Sequence, residues 1–256
     1  MQLQLLRNAL LKLTYAGRTL LIDPDLGSKH SRPSFTGRSQ NPMVALPEPI
    51  ESILAGVEQV IVSHLHADHF DAVAKERIPK ELPLLCQPGD EAAIRQAGFV
   101  NVTPLEHFLR LGPIVITRQP AQHGTGAVVE KMGPVMGLVF EAPGEPTLYW
   151  CGDSVLYPPL RDAVATTAPD VIVTHSCGAQ WDDTLIVMDA EQTLELCEAH
   201  PEAIVIATHM EALDHATVDR ATLRRAAEAR GIGAKRLRIP ADGETIAISC
   251  PAPAGS

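Results

Sequence analysis

The chain has few aromatic residues and no run of basic ones. Its 256 residues include only two tryptophans, three tyrosines and five phenylalanines. Nucleic-acid surfaces need clustered lysines and arginines to neutralise phosphates, and single-strand binders add stacked aromatic rings. The formal net charge of −10, from 21 basic and 31 acidic residues, also argues against such a surface. We therefore expect no nucleic-acid partner.

Paired cysteine motifs and long apolar segments are missing as well. The five cysteines are scattered without CxxC spacing, which favours buried thiols over a disulfide framework. No apolar run approaches the roughly 18 residues of a transmembrane helix. Residues 1–4 lack the basic segment and cleavage site of a signal peptide. We therefore expect a cytoplasmic protein in a reducing compartment, without membrane contact.

The order of predicted elements favours an α/β (α+β) fold. Each half of the chain begins with strands and continues with alternating strands and helices, and no linker or repeat separates the halves. This order predicts a four-layer αββα sandwich, with two mixed β-sheets flanked by helices on both outer faces. We expect a single domain over residues 1–256, with a frayed tail at 251–256.

One long segment, residues 26–49, is rich in polar residues and has no clear period. A loop of this length inside a compact domain is usually functional or mobile. Its place before the motif described next leaves two interpretations open. It could cover a substrate pocket, or it could be an ordinary surface connection.

The most informative stretch is Ser63-His64-Leu65-His66-Ala67-Asp68-His69-Phe70, which follows the apolar run at residues 59–62. A β-branched run that stops at polar residues predicts a buried strand delivering a loop. Three imidazoles and a carboxylate within six residues would each need a hydrogen-bond partner if they were merely packed. Imidazole and carboxylate are, however, ordinary ligands of a divalent metal ion. The stretch therefore predicts a metal-binding loop.

Three other predicted strands end in the same way, shortly before His123, Asp153 and His209. Side chains at strand ends are held by the sheet, while the loops leave an open cleft above it. A solitary histidine at a strand end is more often structural than a ligand. Together with the loop at 64–69, however, these three residues indicate one metal site.

The pattern His64-x-His66-x-Asp68-His69, followed by His123, Asp153 and His209, resembles the metallo-β-lactamase superfamily of metal-dependent hydrolases. The resemblance covers essentially the whole chain. It implies one metal held by His64, His66 and His123, and a second held by Asp68, His69 and His209, with Asp153 bridging both. It implies two divalent ions, with zinc favoured and manganese or iron as alternatives, and a hydroxide between them that attacks a small-molecule substrate. Asp68 could also accept a proton, although as a ligand it would be a weak base.

Within the superfamily, the sequence is most similar to the branch that includes L-ascorbate-6-phosphate lactonase. The similarity lies in Arg7-Asn8-Ala9, in Met188-Asp189-Ala190-Glu191-Gln192 and in Ala207-Thr208-His209. The chain departs from many members at 174–178, where it reads Thr-His-Ser-Cys-Gly instead of Pro-x-Gly-Gly. We expect His175 at the active-site edge, as a catalytic or metal-proximal residue or a donor to a substrate oxygen. An ordinary structural histidine is the alternative.

The roles of several other side chains are less clearly indicated by the sequence. Asp23 either orients a ligand histidine or is a turn residue before proline, and Ser154 is expected to cap the next helix. No basic cluster marks a phosphate clamp, and Arg32, Arg38 and Arg118 are only scattered candidates. We expect the remaining histidines at the surface: His30, His107, His200 and His215.

Three functions remain possible on the sequence alone. We favour a metal-dependent hydrolase acting on a small ester, lactone or amide. A phosphodiesterase or nuclease of the same fold is disfavoured by the acidic charge and the scarcity of aromatic residues. A metal-binding protein that has lost catalysis is the third. The sequence does not reveal the oligomeric state.

Overall fold

The computed structural model describes residues 1–249. The tail at 251–256, predicted to fray, lies outside the described residues, as does Cys250. The strands are β1 (Gln2–Arg7), β2 (Leu10–Tyr15), β3 (Arg18–Ile22), β4 (Gln59–Val62), β5 (Leu84–Cys86), β6 (Val102–Pro104), β7 (Phe108–Leu111), β8 (Ile114–Gln119), β9 (Gly137–Glu141), β10 (Leu148–Trp150), β11 (Val171–His175), β12 (Gln180–Trp181), β13 (Thr184–Leu185), β14 (Ile204–Thr208), β15 (Leu237–Arg238) and β16 (Thr245–Ala247). The helices are α1 (Ile50–Leu54), α2 (Ala72–Arg77), α3 (Glu91–Gln96), α4 (Val128–Met132), α5 (Pro158–Thr167), α6 (Ala190–Ala199) and α7 (Arg220–Ala229).

Two seven-stranded mixed sheets form the centre of the molecule. The first has the order β16-β1-β2-β3-β4-β5-β6, antiparallel from β16 to β3 and parallel from β3 to β6. The second has the order β15-β14-β11-β10-β9-β8-β7, parallel from β15 to β10 and antiparallel from β10 to β7. Strands β12 and β13 form a separate hairpin.

Apolar side chains fill three spaces between the layers. The space between the sheets holds Leu5, Leu13, Phe140 and Trp150, all fully buried. A second cluster includes Ile53, Ala74 and Ile94 from α1, α2 and α3, together with residues of the first sheet. A third includes Leu160, Leu194 and Leu223 from α5, α6 and α7, together with residues of the second sheet. The four-layer αββα sandwich predicted from the sequence is thus confirmed.

The parallel strands explain where the site lies. Strand β4 is buried along its whole length between β3 and β5, which suits its continuous apolar run. Strands β10, β11 and β14 are neighbours in the second sheet and run parallel, so their carboxyl ends meet at one edge. Loops leaving these strand ends carry the predicted ligands. No helix within residues 1–249 combines the length and apolarity of a membrane span.

Candidate metal centre

The structure brings together all seven side chains that the sequence nominates as ligands. Ring nitrogens of His64, His66 and His123 lie within 4.8 Å of one another. A second group of the same compactness contains His69, Asp153, His175 and His209. Asp68 adjoins this group, because its Oδ2 is 3.3 Å from Nε2 of both His69 and His209.

Asp153 lies between the two groups. Its Oδ2 is 3.3 Å from Nε2 of His123 and 3.2 Å from Nε2 of His69, while its Oδ1 is 3.5 Å from Nε2 of His209. One carboxylate thus reaches both groups, as a bridging ligand must. The preceding Gly152 has φ +64°, and a Cβ there would lie 2.8 Å from the carbonyl oxygen of Met136. Only glycine allows this approach to Asp153.

Four of the histidines are oriented from behind through Nδ1. The partners are Asp23 Oδ2 for His69 (2.7 Å), the Ile186 carbonyl for His123 (2.8 Å), Ser63 Oγ for His64 (2.9 Å) and Cys177 Sγ for His209 (3.3 Å). Each contact leaves Nε2 for the centre of the site, which is how ligand histidines are usually held. Of the two interpretations of Asp23, the structure therefore favours the orienting role.

The chemistry of these donors fits a bound cation. Nε2 of His64 is buried and has no hydrogen-bond partner among residues 1–249. Nε2 of His69 and Nε2 of His209 are only 3.3 Å apart and face the same carboxylates. A buried polar atom without a partner is costly, and divalent ions bound among these nitrogens and carboxylates would satisfy it. The residues present therefore suit a metal centre.

The carboxylates of the site change the proton affinity of its histidines. Burial would lower the pKa of His69, but Asp153, Asp68 and Asp23 raise it well above its usual range. The pKa of His209 is raised in the same way, mainly by Asp153 acting against burial. In contrast, burial and the neighbouring His69 lower the pKa of His64. A metal ion bound at these Nε2 atoms would therefore compete with protons for them.

His175 ends β11 directly behind Asp153. Its Nδ1 is 2.6 Å from Asp153 Oδ1, and the ring is fully buried beside Trp150. It is not among the residues that line the cavity above the site. The predicted position at the functional edge is therefore found, whereas a direct donation from His175 to a substrate oxygen is not supported.

Two side chains contribute to the site in ways that the sequence did not indicate. Asn8 adopts φ +57° in the turn between β1 and β2. Its side-chain Nδ2 donates to the Asp68 carbonyl at 3.2 Å, and its backbone carbonyl accepts from the N–H of His209 at 3.0 Å. Cys177, expected only as a buried thiol, contacts His209. The prediction for Ser154 is wrong, since its hydroxyl accepts from the backbone N–H of Gln122 and caps no helix.

A cavity of about 280 Å³ opens above the two groups. Its floor includes His66, Asp68, His123 and Asp153, and its walls include Phe35, Met132, Trp181, Ile186 and His215. The sequence predicts His215 at the surface, and the structure corrects this prediction. The residue is partly buried and borders the cavity, in the segment that follows β14.

A mixed αββα sandwich with a histidine and aspartate cluster at its strand ends defines a metal-dependent hydrolase of the metallo-β-lactamase fold. Residues 18–210 match the family described as the Beta-lactamase superfamily domain. The chain belongs to this superfamily, and within it to the UPF0173 group. It is 37% identical over 252 residues to UPF0173 protein YddR of Bacillus subtilis (strain 168), covering 96% of this chain and 99% of that protein.

Two solved structures are similar over nearly their whole length. Isothiocyanate hydrolase from Delia radicum gut bacteria superposes with a TM-score of 0.92 at 36% identity, covering 98% of this chain and 100% of that one. A possible metal-dependent hydrolase from Veillonella parvula DSM 2008 gives a TM-score of 0.93 at 33% identity, covering 97% and 99%. The more specific likeness to L-ascorbate-6-phosphate lactonase stays a prediction.

Proposed function

We propose that this hydrolase acts on a small ester, lactone or amide and uses two divalent ions. The observation that carries the proposal is the convergence of Nε2 atoms and two carboxylates on the floor of a cavity of about 280 Å³. The first ion would be held by His64, His66 and His123, the second by Asp68, His69 and His209, and Asp153 would contact both. Histidine-rich sets favour zinc, while the carboxylates also suit manganese or iron.

When bound, such ions act as Lewis acids and lower the pKa of a water molecule towards neutrality. Asp68 lines the cavity, so its carboxylate can take a proton from the attacking water and return it to the leaving group. In the metal-free site, burial alone would raise the pKa of Asp68, but His69 and His209 lower it well below its usual range. As a metal ligand Asp68 would also be a weak base, so its main contribution would be to hold the centre.

Asp153 and His175 act together in this scheme. Because His175 Nδ1 donates to Asp153 Oδ1 from the buried side, it fixes the orientation of the bridging carboxylate. We assign His175 as a positioning residue, since it lies outside the cavity lining. Asn8 Nδ2 donates to the backbone carbonyl of Asp68 and so helps to fix the position of that residue.

The surroundings favour a carbon electrophile over a phosphate ester. Arg32 is held by both oxygens of Asp25, at 2.5 and 2.8 Å, and Arg38 contacts Thr36 and the Asp214 carbonyl. Arg118 borders a different crevice. None of the three candidate arginines lines the cavity, which counts against a phosphate clamp. An isothiocyanate also offers an electrophilic carbon, and the structural neighbour named for that activity adds this class to the candidates.

A panel of substrates tests the proposal. Metal-loaded protein should hydrolyse at least one member of a set of small esters, lactones, amides and isothiocyanates. The His66→Ala variant should lose this activity, while His30→Ala, at an exposed histidine, should retain it. Turnover of bis-p-nitrophenyl phosphate without turnover of any carbon electrophile would contradict the proposal and favour the phosphodiesterase alternative.

Location and partners follow as further proposals. Cys86, Cys151, Cys177 and Cys197 are buried free thiols, which supports a reducing, cytoplasmic setting. The cavity suits a small molecule as the partner, and the acidic composition offers nothing for nucleic acid.

A further inference from the structure

Two exposed aromatic side chains lie over the metal centre. Within residues 1–249, four large apolar side chains are strongly exposed, and two of these, Phe35 (45%) and Trp181 (38%), line the cavity. Met132 and Ile186 add further apolar surface there. In a chain with only ten aromatic residues, this concentration marks a binding surface.

The backbone that carries Phe35 is firmly held. The Asp214 carboxylate accepts hydrogen bonds from Ser34 Oγ (2.5 Å), the Phe35 N–H (3.0 Å), the Thr36 N–H (3.1 Å) and Asn41 Nδ2 (2.9 Å). Asn41 Oδ1 in return accepts from the Asp214 N–H at 2.9 Å. The Phe35 ring also packs edge-on against His215 with centroids 4.8 Å apart. Phe35 is therefore presented to the cavity by an anchored loop.

Trp181 is tied to the same segment. It lies on the β12–β13 hairpin, whose Gln180 N–H donates to the His215 carbonyl at 3.3 Å. The hairpin leads into Ile186, whose carbonyl holds the ring of His123. Asp214 and His215 thus hold the two segments that carry Phe35 and Trp181. Both residues follow the predicted ligand His209 by only a few positions, so the aromatic side chains are held in place by the same segment that carries a predicted metal ligand.

The cavity offers little charge beyond its floor. The charged side chains among its described lining residues are the carboxylates Asp68 and Asp153 and the ammonium of Lys131. The two carboxylates belong to the metal centre. Lys131 is paired with Asp182 at 3.0 Å on the exposed rim. Above the floor, the remaining lining is apolar apart from His215, so the walls favour an uncharged substituent over a charged one.

We propose that this cavity binds the aromatic or branched alkyl substituent of a small uncharged substrate, and that Phe35 and Trp181 set the preference for it. The inference rests on the proposed function, because it places the electrophilic carbon at the metal floor and the apolar substituent between the aromatic walls. Asp214 is a positioning residue for Phe35.

The test compares two metal-chelating ligands that differ only in their substituent, acetohydroxamic acid and benzohydroxamic acid. Calorimetric titration of the metal-loaded full chain should give a dissociation constant about tenfold lower for the phenyl compound, a typical gain for added apolar contact. Trp181→Ala and Phe35→Ala should each reduce this ratio towards one, because the phenyl compound loses more affinity than the methyl compound. Asp214→Asn should reduce the ratio in the same direction. Phe108→Ala is the matched control, because Phe108 is also exposed (60%) but lies on β7 and does not line the cavity.

The outcomes separate this inference from the proposed function. Equal affinities for the two ligands in the unaltered chain, or binding of neither, would overturn the inference. So would a ratio that survives in the Phe35→Ala, Trp181→Ala double variant. An intact ratio without turnover of any carbon electrophile would overturn the proposed function alone.

Discussion

Replacing Asp23 by asparagine should weaken metal binding although Asp23 touches no predicted metal position. Its Oδ1 accepts from the Ser63 N–H at 2.7 Å, and its Oδ2 accepts from Ser63 Oγ and faces Nδ1 of His69, both at 2.7 Å. An asparagine can keep the first contact through its oxygen. Its amide group would then face the His69 ring with a donor instead of an acceptor.

A metal ion at Nε2 requires that the remaining ring proton of His69 be on Nδ1, where Asp23 accepts it. With asparagine in place, the amide donor would face this N–H donor, so the metal-bound form would lose its outer hydrogen bond. Loss of such an outer partner typically costs 10- to 100-fold in metal affinity, or about 1.4–2.8 kcal/mol.

Competition against a chromogenic chelator would measure this loss with Zn²⁺ as the probe. Asp219→Asn is the matched control, because this exposed residue caps α7 and asparagine caps equally well. Thermal unfolding with a chelator present would verify that both variants are folded. An affinity of folded Asp23→Asn within twofold of the unaltered chain would refute the reasoning.

Three further predictions concern His175, proton release and Asp90. His175→Asn should keep a donor to Asp153 and retain metal affinity, whereas His175→Leu should lose at least tenfold; equal affinities would refute a positioning role. Because the pKa values of His69 and His209 are raised in the metal-free site, Zn²⁺ binding near pH 7 should release at least one proton and weaken as the pH falls. Calorimetry in buffers of different ionisation enthalpy measures this release, and a buffer-independent heat would contradict it. Burial, assisted by Glu91, raises the pKa of Asp90 to about 6, so the native state loses stability as the pH rises from about 4 to 6. Asp90→Asn should therefore be more stable than the parent by about 1 kcal/mol at pH 7.5, after allowance for partial solvation, but not at pH 4, as measured by denaturant unfolding.

The clustering of the seven candidate ligands could be predicted because its signals are local. His64 to His69 follow a buried strand within a few residues, and His123, Asp153 and His209 each come shortly after an apolar run. The layered fold follows from the same alternation of strands and helices. Elements such as α4, β6, β12 and β13 have two to five residues, too few for any period to be read.

The substrate walls depend on contacts between distant parts of the chain. Asp214 holds a loop some 180 residues earlier in the sequence, and no local sequence pattern indicates that pairing. Phe35 and Trp181 are single aromatic residues among polar ones, and nothing near them in the sequence indicates that they lie on one cavity. His215 does not directly follow a strand, so the sequence predicts a surface position for it. Asn8 follows a strand at a turn position with φ +57°, where asparagine is common for backbone reasons alone.

Metal content is the most direct test of the central claim, that these seven side chains form a two-ion centre. Elemental analysis after loading with Zn²⁺ and removal of loosely bound ions should give about two ions per chain, as the shared Asp153 implies. His66→Ala and His209→Ala, one from each set, should each retain clearly less metal, while His30→Ala should match the parent. A parent chain that binds no metal, or variants that keep the full complement, would contradict the account.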